Sequence, residues 1–185
     1  NDNFDILRFI LANKIILVEG ASEFIALPSM IEKITGKDMD DLGVEVISMS
    51  GIHYKHFIKL AEQLDKCVLI LTDNDGKKVQ EIEEENSMYS KKQLKIKIYT
   101  PCDEKIFTFE SAIYNGNEDF FKKITPSRAR VTHFKSHKDL PIPLAYSLNH
   151  KTATAIKIAE NIEKGEMFNI PSYIKEGVKW LEQLN

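Results

Sequence analysis

The segment VLILTDNDGKK, residues 68–78, ends an apolar run with two closely spaced acidic residues. The run has the length and composition of a buried strand, and Asp73 and Asp75 come directly after it. Two carboxylates about 4 Å apart repel each other by about 4 kcal/mol at an effective dielectric constant of about 20. The pair therefore predicts that a positively charged partner lies beside this strand end.

Three other segments also have strand patterns, and helical patterns separate all four. The predicted strands lie at 14–20, 44–51, 66–75 and 93–100. The fourth alternates apolar and polar residues, which indicates a position near a sheet edge. Strands separated by helices require right-handed crossovers. The sequence therefore predicts an α/β fold with a central, mainly parallel sheet of about four strands and helices on both faces.

The remainder of the chain is less regular. Segment 115–150 is predicted to be rich in loops, whereas 151–164 and 172–183 are predicted to be helical. The length of 185 residues fits one domain, 1–185. The sequence contains neither an apolar run of about 18 residues nor a signal peptide, so we expect a cytoplasmic protein. Cys67 and Cys102 form no CxxC pair and are predicted to be reduced core residues.

The charge of the chain is unevenly distributed. The formal net charge is −3, which does not suggest a general polyanion binder. Segment 121–138 nevertheless carries basic residues and no acidic ones. Candidate DNA contacts in it are Lys122, Lys123, Arg128, Arg130 and Lys135. Such a segment can bind phosphates through counterion release, and it can equally be an ordinary basic surface loop.

Acidic residues also follow the first predicted strand. Ligands of open parallel sheets lie beyond the carboxyl ends of the strands, where Glu19, Asp73 and Asp75 meet if the first and third strands pair. Three carboxylates with no basic partner in the adjoining strand fit Mg²⁺ or Mn²⁺. Turn residues or helix caps are the alternative interpretation. An EF-hand is excluded because Gly76 comes too soon after Asp73.

Several motifs resemble a known family. IILVEGASE (15–23) followed by LILTDND (69–75) is similar to the Toprim (topoisomerase–primase) domain. The finer pattern resembles the OLD (overcoming lysogenization defect) nucleases, which include the nuclease subunit of the Gabija anti-phage system. The segments that carry this resemblance are VEGASEFIALP (18–28), GVEVISMSGIHYKHF (43–57), TFESAI (108–113) and IPSYIKEGVKW (170–180). It covers nearly the whole chain.

The resemblance implies a set of site residues. The expected metal ligands are Glu19, Glu23, Asp73, Asp75 and Glu110, around what would be two Mg²⁺ or Mn²⁺ ions. Glu19 is also the expected general base, and Lys151 stands where the family carries a functional lysine. For Glu23 and Glu110 the alternative role is that of an acid in the first turn of a helix. For Lys151 it is that of an exposed helix lysine. His53 and His56 have no metal-ligand spacing and are candidates to face DNA.

The resemblance also implies an activity and partners. OLD proteins join an ABC-type ATPase to a C-terminal Toprim nuclease, but this sequence has no GxxxxGK[ST] loop. The expected function is a metal-dependent DNA endonuclease that hydrolyses phosphodiester bonds. Its expected partners are DNA, an ATPase domain of the same polypeptide and further copies in a homo-oligomer. The alternatives are a Toprim domain with primase or topoisomerase chemistry and a non-catalytic metal-binding module.

Overall fold

A computed structural model of the chain describes residues 2–74, 79–102, 108–130 and 139–184. The strands are β1 (Lys14–Val18), β2 (Val44–Ser48), β3 (Cys67–Leu71) and β4 (Ile96–Tyr99). The helices are α1 (Asp2–Leu11), α2 (Ala21–Thr35), α3 (Met39–Leu42), α4 (Lys55–Gln63), α5 (Val79–Lys91), α6 (Phe109–Tyr114), α7 (Glu118–Ile124), α8 (Ile142–Asn149), α9 (Lys151–Glu163) and α10 (Ser172–Glu182).

The four strands form one parallel sheet in the order β2-β1-β3-β4. The central strands β1 and β3 are apolar on both sides because helices cover both faces. One face packs against α2, α9 and α10, and the other against α4 and α5. The predicted fold class is thus confirmed, and β4 does lie at an edge.

Close packing between α10 and the sheet depends on a glycine. A Cβ atom on Gly177 would lie 2.9 Å from Cδ1 of Leu69 and 3.3 Å from Cδ2 of Leu71. Since real Cβ contacts are almost never as short as 2.9 Å, any other residue here would require Leu69 or the helix to shift, and glycine lets α10 lie this near to β3 without such a shift. This close approach fixes the start of α10, including Tyr173, beneath the carboxyl edge of the sheet.

Two sequence predictions differ from the structure. Segment 115–150 contains α7 and α8, which short apolar stretches hold against the core through Phe121 and Leu144. Cys67 is buried as predicted, but Cys102 is exposed because it follows Pro101 beyond the end of β4. None of the helices in the described ranges is both long and apolar enough to cross a bilayer.

Candidate metal centre at the carboxyl edge of the sheet

Glu19 and Asp73 meet at the carboxyl edge because β1 and β3 are paired. The register places Val18 opposite Leu71, so the residues after both strands are neighbours. Oε1 of Glu19 accepts a hydrogen bond of 2.9 Å from the backbone N–H of Asp73. The hydroxyl of Thr72 donates a second hydrogen bond to the same oxygen. The Glu19 carboxylate is therefore held by two donors from the end of β3.

Asp73 is linked in turn to the start of α6. Its Oδ1 accepts a hydrogen bond of 2.8 Å from the backbone N–H of Phe109, the first residue of that helix. Thr108 caps α6, and a reciprocal bond with Ser111 completes a capping box. The helix start thus brings its second residue, Glu110, to the same edge of the sheet.

Glu110 is a buried carboxylate with two side-chain donors. Only 7% of the residue is exposed, and its Oε1 lies 2.8 Å from Nζ of Lys151, the first residue of α9. Ser22, which is buried in the first turn of α2, donates a longer hydrogen bond of 3.5 Å to the same oxygen. Side chains from α2, α6 and α9 therefore converge next to the strand ends.

Burial and crowding change the pKa values of two carboxyl groups. Burial, followed by the charges of Glu110 and Glu19, raises the pKa of Glu23 to about 7 against the opposing effect of a backbone hydrogen bond. Burial and the charge of Glu19 likewise raise the pKa of Asp73 to about 7, although the Phe109 N–H opposes this. The four carboxylates thus interact electrostatically as one cluster.

Two further side chains respond to the same cluster. Burial alone would lower the pKa of Lys151, but the hydrogen bond and charge of Glu110 outweigh it and raise this pKa. Burial, then the charges of Asp73 and Glu23, raise the pKa of Tyr173 well above its ordinary value. Lys151 therefore stays charged, and the Tyr173 phenol stays protonated as a hydrogen-bond donor.

The donor chemistry of the cluster fits a hard divalent cation. Its predicted ligands Glu19, Glu23, Asp73 and Glu110 supply only carboxylate oxygens, which Mg²⁺ and Mn²⁺ prefer. Within the described ranges, however, no three His, Cys, Asp or Glu side chains are arranged as the ligands of one ion. The predicted ligand Asp75 lies outside the described residues. Protein donors engage all four carboxylates instead.

The basic residues predicted to contact DNA are exposed where they are described. Lys122 and Lys123 lie in the last turn of α7, and Arg128 and Arg130 follow it. Lys122 forms a 2.8 Å ion pair with Asp119, an acid just before the basic segment. Lys135 lies outside the described residues. His53 and His56, the histidines predicted to face DNA, are both exposed. His53 lines a cavity beside Glu19.

Thr72, Ser22 and Tyr173 were missed as site residues by the sequence analysis. Thr72 stands between the apolar run and Asp73, so a buried hydroxyl at a strand end was a usable signal. Ser22 has the residue type of a helix cap, but Gly20 occupies the cap position of α2 and the Ser22 hydroxyl donates to Glu110. No local pattern marks Tyr173, because a tertiary contact brings α10 to the site.

Comparisons with known proteins agree with this architecture. Residues 10–75 match the family described as overcoming lysogenization defect protein-like, TOPRIM domain. The chain is similar to the C-terminal region of the Xanthomonas campestris pv. campestris OLD protein, with a TM-score of 0.64 and 17% identity over 93% of this chain and 95% of that one. The C-terminal region of the Burkholderia pseudomallei OLD protein gives 0.59 and 20% over 92% and 97%. No curated protein matches the sequence.

The fold and the acidic edge agree with these comparisons. The parallel sheet has carboxylates after β1 and β3, and both of these strand ends lie within the residues that match the OLD-like TOPRIM family. The fold of the whole chain is similar to that of the C-terminal regions of OLD proteins.

Proposed function

We propose that the chain is the metal-dependent DNA endonuclease domain of an OLD-family, ATP-regulated nuclease. The observation that carries the proposal is the convergence of Glu19, Glu23, Asp73 and Glu110 with Lys151 at one edge of the sheet. The four carboxylates come from three separate parts of the chain, which an ordinary set of turn residues or helix caps does not require. The match of residues 10–75 to the OLD-like family supports the same activity.

These carboxylates, together with Asp75, are the proposed ligands of two divalent ions. When bound, Mg²⁺ or Mn²⁺ would activate a water and neutralise the charge that grows on the phosphate during in-line displacement. The cluster suits this role because its unscreened charges disfavour full ionisation, as the raised pKa values of Asp73 and Glu23 show. A cation would relieve that repulsion.

Glu19 and Lys151 have the proposed catalytic roles. The Thr72 hydroxyl and the Asp73 N–H both donate to Oε1 of Glu19, so its other oxygen is the acceptor for a proton from the attacking water. The Lys151 ammonium is kept charged by Glu110 and would stabilise a non-bridging phosphate oxygen in the transition state. Exposure of 54% of the Lys151 side chain leaves it accessible to a substrate.

The proposal extends to the partners of the domain. DNA would contact the basic residues Lys122, Lys123, Arg128, Arg130 and Lys135. We further propose that residues 1–185 are one Toprim nuclease domain, which works in the cytoplasm with an ATPase domain of the same polypeptide and within a homo-oligomer. The same family resemblance is the basis for proposing a role in anti-phage defence.

A plasmid nicking experiment tests the proposed activity. Supercoiled plasmid is incubated with the natural full-length protein and Mg²⁺ or Mn²⁺, and nicked and linear products are measured on a gel. Asp73→Asn should reduce cleavage at least about a hundredfold. The matched control is Asp65→Asn, because Asp65 is exposed and pairs only with Lys95 among the described residues. The proposal is wrong if wild-type protein leaves the plasmid intact, or if Asp73→Asn cleaves as fast as wild type.

A non-catalytic metal-binding module is the second candidate, and one observation favours it. Glu19, Asp73 and Glu110 each already accept a hydrogen bond or ion pair from the protein, as structural carboxylates do. Calorimetric titration with Mn²⁺ separates the two functions. One tight site in a protein that never cleaves DNA would support the module, whereas two sites in a protein that cleaves would support the nuclease.

A further inference from the structure

A cavity of about 200 Å³ lies beside the acidic cluster and has no assigned role. Glu19 and Thr72 form one wall. The rest of the wall comes from the segment between β2 and α4, namely Met49, Gly51, Ile52, His53 and Tyr54. The cavity is therefore continuous with the proposed metal centre, but about half of its surface is apolar and takes no part in holding a cation.

The β2–α4 segment has a defined turn that shapes the cavity. Ile52 N–H donates a 2.9 Å hydrogen bond to the carbonyl of Met49, and the two residues between them have φ values of +49° at Ser50 and +86° at Gly51. Positive φ at both central positions is the signature of a type I′ turn. Met49 N–H also donates to the carbonyl of Val18, which ties the turn to the end of β1.

The far side of the cavity is anchored to α5. Tyr54 is buried, and its hydroxyl donates a 3.0 Å hydrogen bond to Oε2 of Glu85. The hydroxyl of Tyr89 donates to the same oxygen at 3.1 Å. The His53 ring packs on the Tyr54 ring, with centroids 4.4 Å apart. This anchored wall presents Ile52, which is 43% exposed, to whatever enters the cavity.

We propose that the cavity receives the base of one nucleotide, next to the phosphate held at the acidic cluster. This inference rests on the proposed nuclease function and names the subsite that reads the substrate beside the cut. A volume below the range of about 300–1,000 Å³ for drug-sized ligands leaves room for one such group. The Glu19 carboxylate in the wall repels a phosphate, whereas an isoleucine and an imidazole suit the face of a base.

The subsite restricts the form of DNA that is cleaved. A base cannot enter the cavity while it is stacked and paired within a duplex. The nucleotide beside the scissile phosphate must therefore be unpaired or turned out of the helix, at a cost that is smallest at mismatches, ends and single-stranded segments. Ile52 is then a specificity-determining residue, because it contacts the displaced base and has no part in the chemistry.

Abasic scanning of the substrate tests the subsite. Oligonucleotides that each lack one base are offered to the full-length protein with Mn²⁺, and kcat and KM are measured for each. In wild type, removal of the base at one position beside the cut should raise KM about tenfold. Ile52→Ala should raise KM for the intact strand by a similar factor and leave kcat nearly unchanged. In this variant, KM should be the same for abasic strands whichever base is missing.

Two further variants make the test specific. Ile52→Trp fills the cavity and should raise KM for the intact strand more than Ile52→Ala does. Ile156→Ala is the matched control, because Ile156 is the same residue type with nearly the same exposure, 45%, but lies on α9 outside the cavity lining. It should behave as wild type. A thermal midpoint equal to that of wild type would show that the two Ile52 variants are folded.

The outcomes separate this inference from the proposed nuclease function. If wild type cleaves DNA but every abasic strand gives the same KM, the subsite is wrong and the nuclease stands. If wild type cleaves nothing, the nuclease is wrong, and fluorescence anisotropy of the same oligonucleotides in Ca²⁺ decides the subsite. A binding loss at one abasic position that Ile52→Ala abolishes supports it. A uniform loss, or an Ile52→Ala variant that binds as wild type does, overturns it.

Discussion

Lys151 Nζ lies 2.8 Å from Oε1 of Glu110, and this ion pair joins the first residue of α9 to a buried carboxylate of α6. A half-exposed ammonium beside a carboxylate at 7% exposure can turn towards a substrate while its partner stays in place. The pair therefore combines a structural role, neutralising Glu110, with a charge that a bound phosphate can recruit. Substitution at Lys151 should separate these two roles.

Lys151→Ala should lower kcat for DNA cleavage by about 10²-fold, because a positive charge is lost where the transition state gains negative charge. It should also reduce the free energy of unfolding by about 1 kcal/mol, since Glu110 loses its partner. Steady-state kinetics and denaturant unfolding measure the two effects. Lys157→Ala, an exposed lysine of the same helix, is the control and should change neither. Unchanged kcat in Lys151→Ala would remove the residue from the catalytic site.

Thr72→Val should weaken Mn²⁺ binding about tenfold or more, because the hydroxyl that orients Glu19 is lost while the volume is kept. Thr72→Ser should retain most of the affinity. The matched control is Thr100→Val, since Thr100 follows β4 as Thr72 follows β3, and its buried hydroxyl has no hydrogen-bond partner among the described residues. Titration calorimetry compares the three variants. Equal affinities for Thr72→Val and wild type would show that Glu19 needs no such support.

The metal-free protein should lose stability as the pH rises. The pKa values of Asp73 and Glu23, about 7 in the folded state, exceed the values near 4 of the unfolded chain. The folded state then binds more protons than the unfolded state between these pH values. The stabilisation is complete below about pH 4 and is lost as the pH rises through about 7. In EDTA, the thermal midpoint should be a few degrees lower at pH 8 than at pH 5.5, and Mg²⁺ should restore it.

The Asp73→Asn variant checks the same argument from the opposite direction. An amide keeps the acceptor for the Phe109 N–H but removes one crowded charge. In EDTA at pH 8 this variant should therefore melt at a higher temperature than wild type, even though its DNA cleavage in Mg²⁺ or Mn²⁺ is expected to be far slower. Asp65→Asn, at an exposed position, should leave the melting temperature unchanged. A lower midpoint for Asp73→Asn would contradict the raised pKa of Asp73.

The sheet and the meeting of Glu19 with Asp73 could be predicted from the sequence, because parallel strands separated by helices bring their carboxyl ends to one edge. The positions of Glu23, Glu110 and Lys151 came from the family resemblance. Their convergence depends on how α2, α6 and α9 pack, and no local pattern encodes it.

The cavity beside Glu19 was beyond sequence analysis for a related reason. Its shape depends on the conformation of Ser50 and Gly51, and on a hydrogen bond between Tyr54, which precedes α4, and Glu85 on α5. Helices α7 and α8 were missed because each is short and lies among Pro, His and basic residues that indicate loops. Tertiary packing on the core outweighs these weak local signals.

Gly177→Ala should destabilise the domain by about 1–3 kcal/mol, because the added methyl group would press against Leu69 in the packed core between α10 and β3. Alanine has the higher helix propensity, so a gain in stability would show that the core yields at this point. The expected loss corresponds to a fall in the thermal midpoint of about 2–12 °C for a chain of this size. Glu176→Ala, an exposed position in the same helix, is the control and should lie within about 0.5 kcal/mol of wild type. Since α10 also carries Tyr173 to the acidic cluster, Gly177→Ala should reduce Mn²⁺ affinity as well, and an unchanged affinity would show that the metal centre does not depend on this helix.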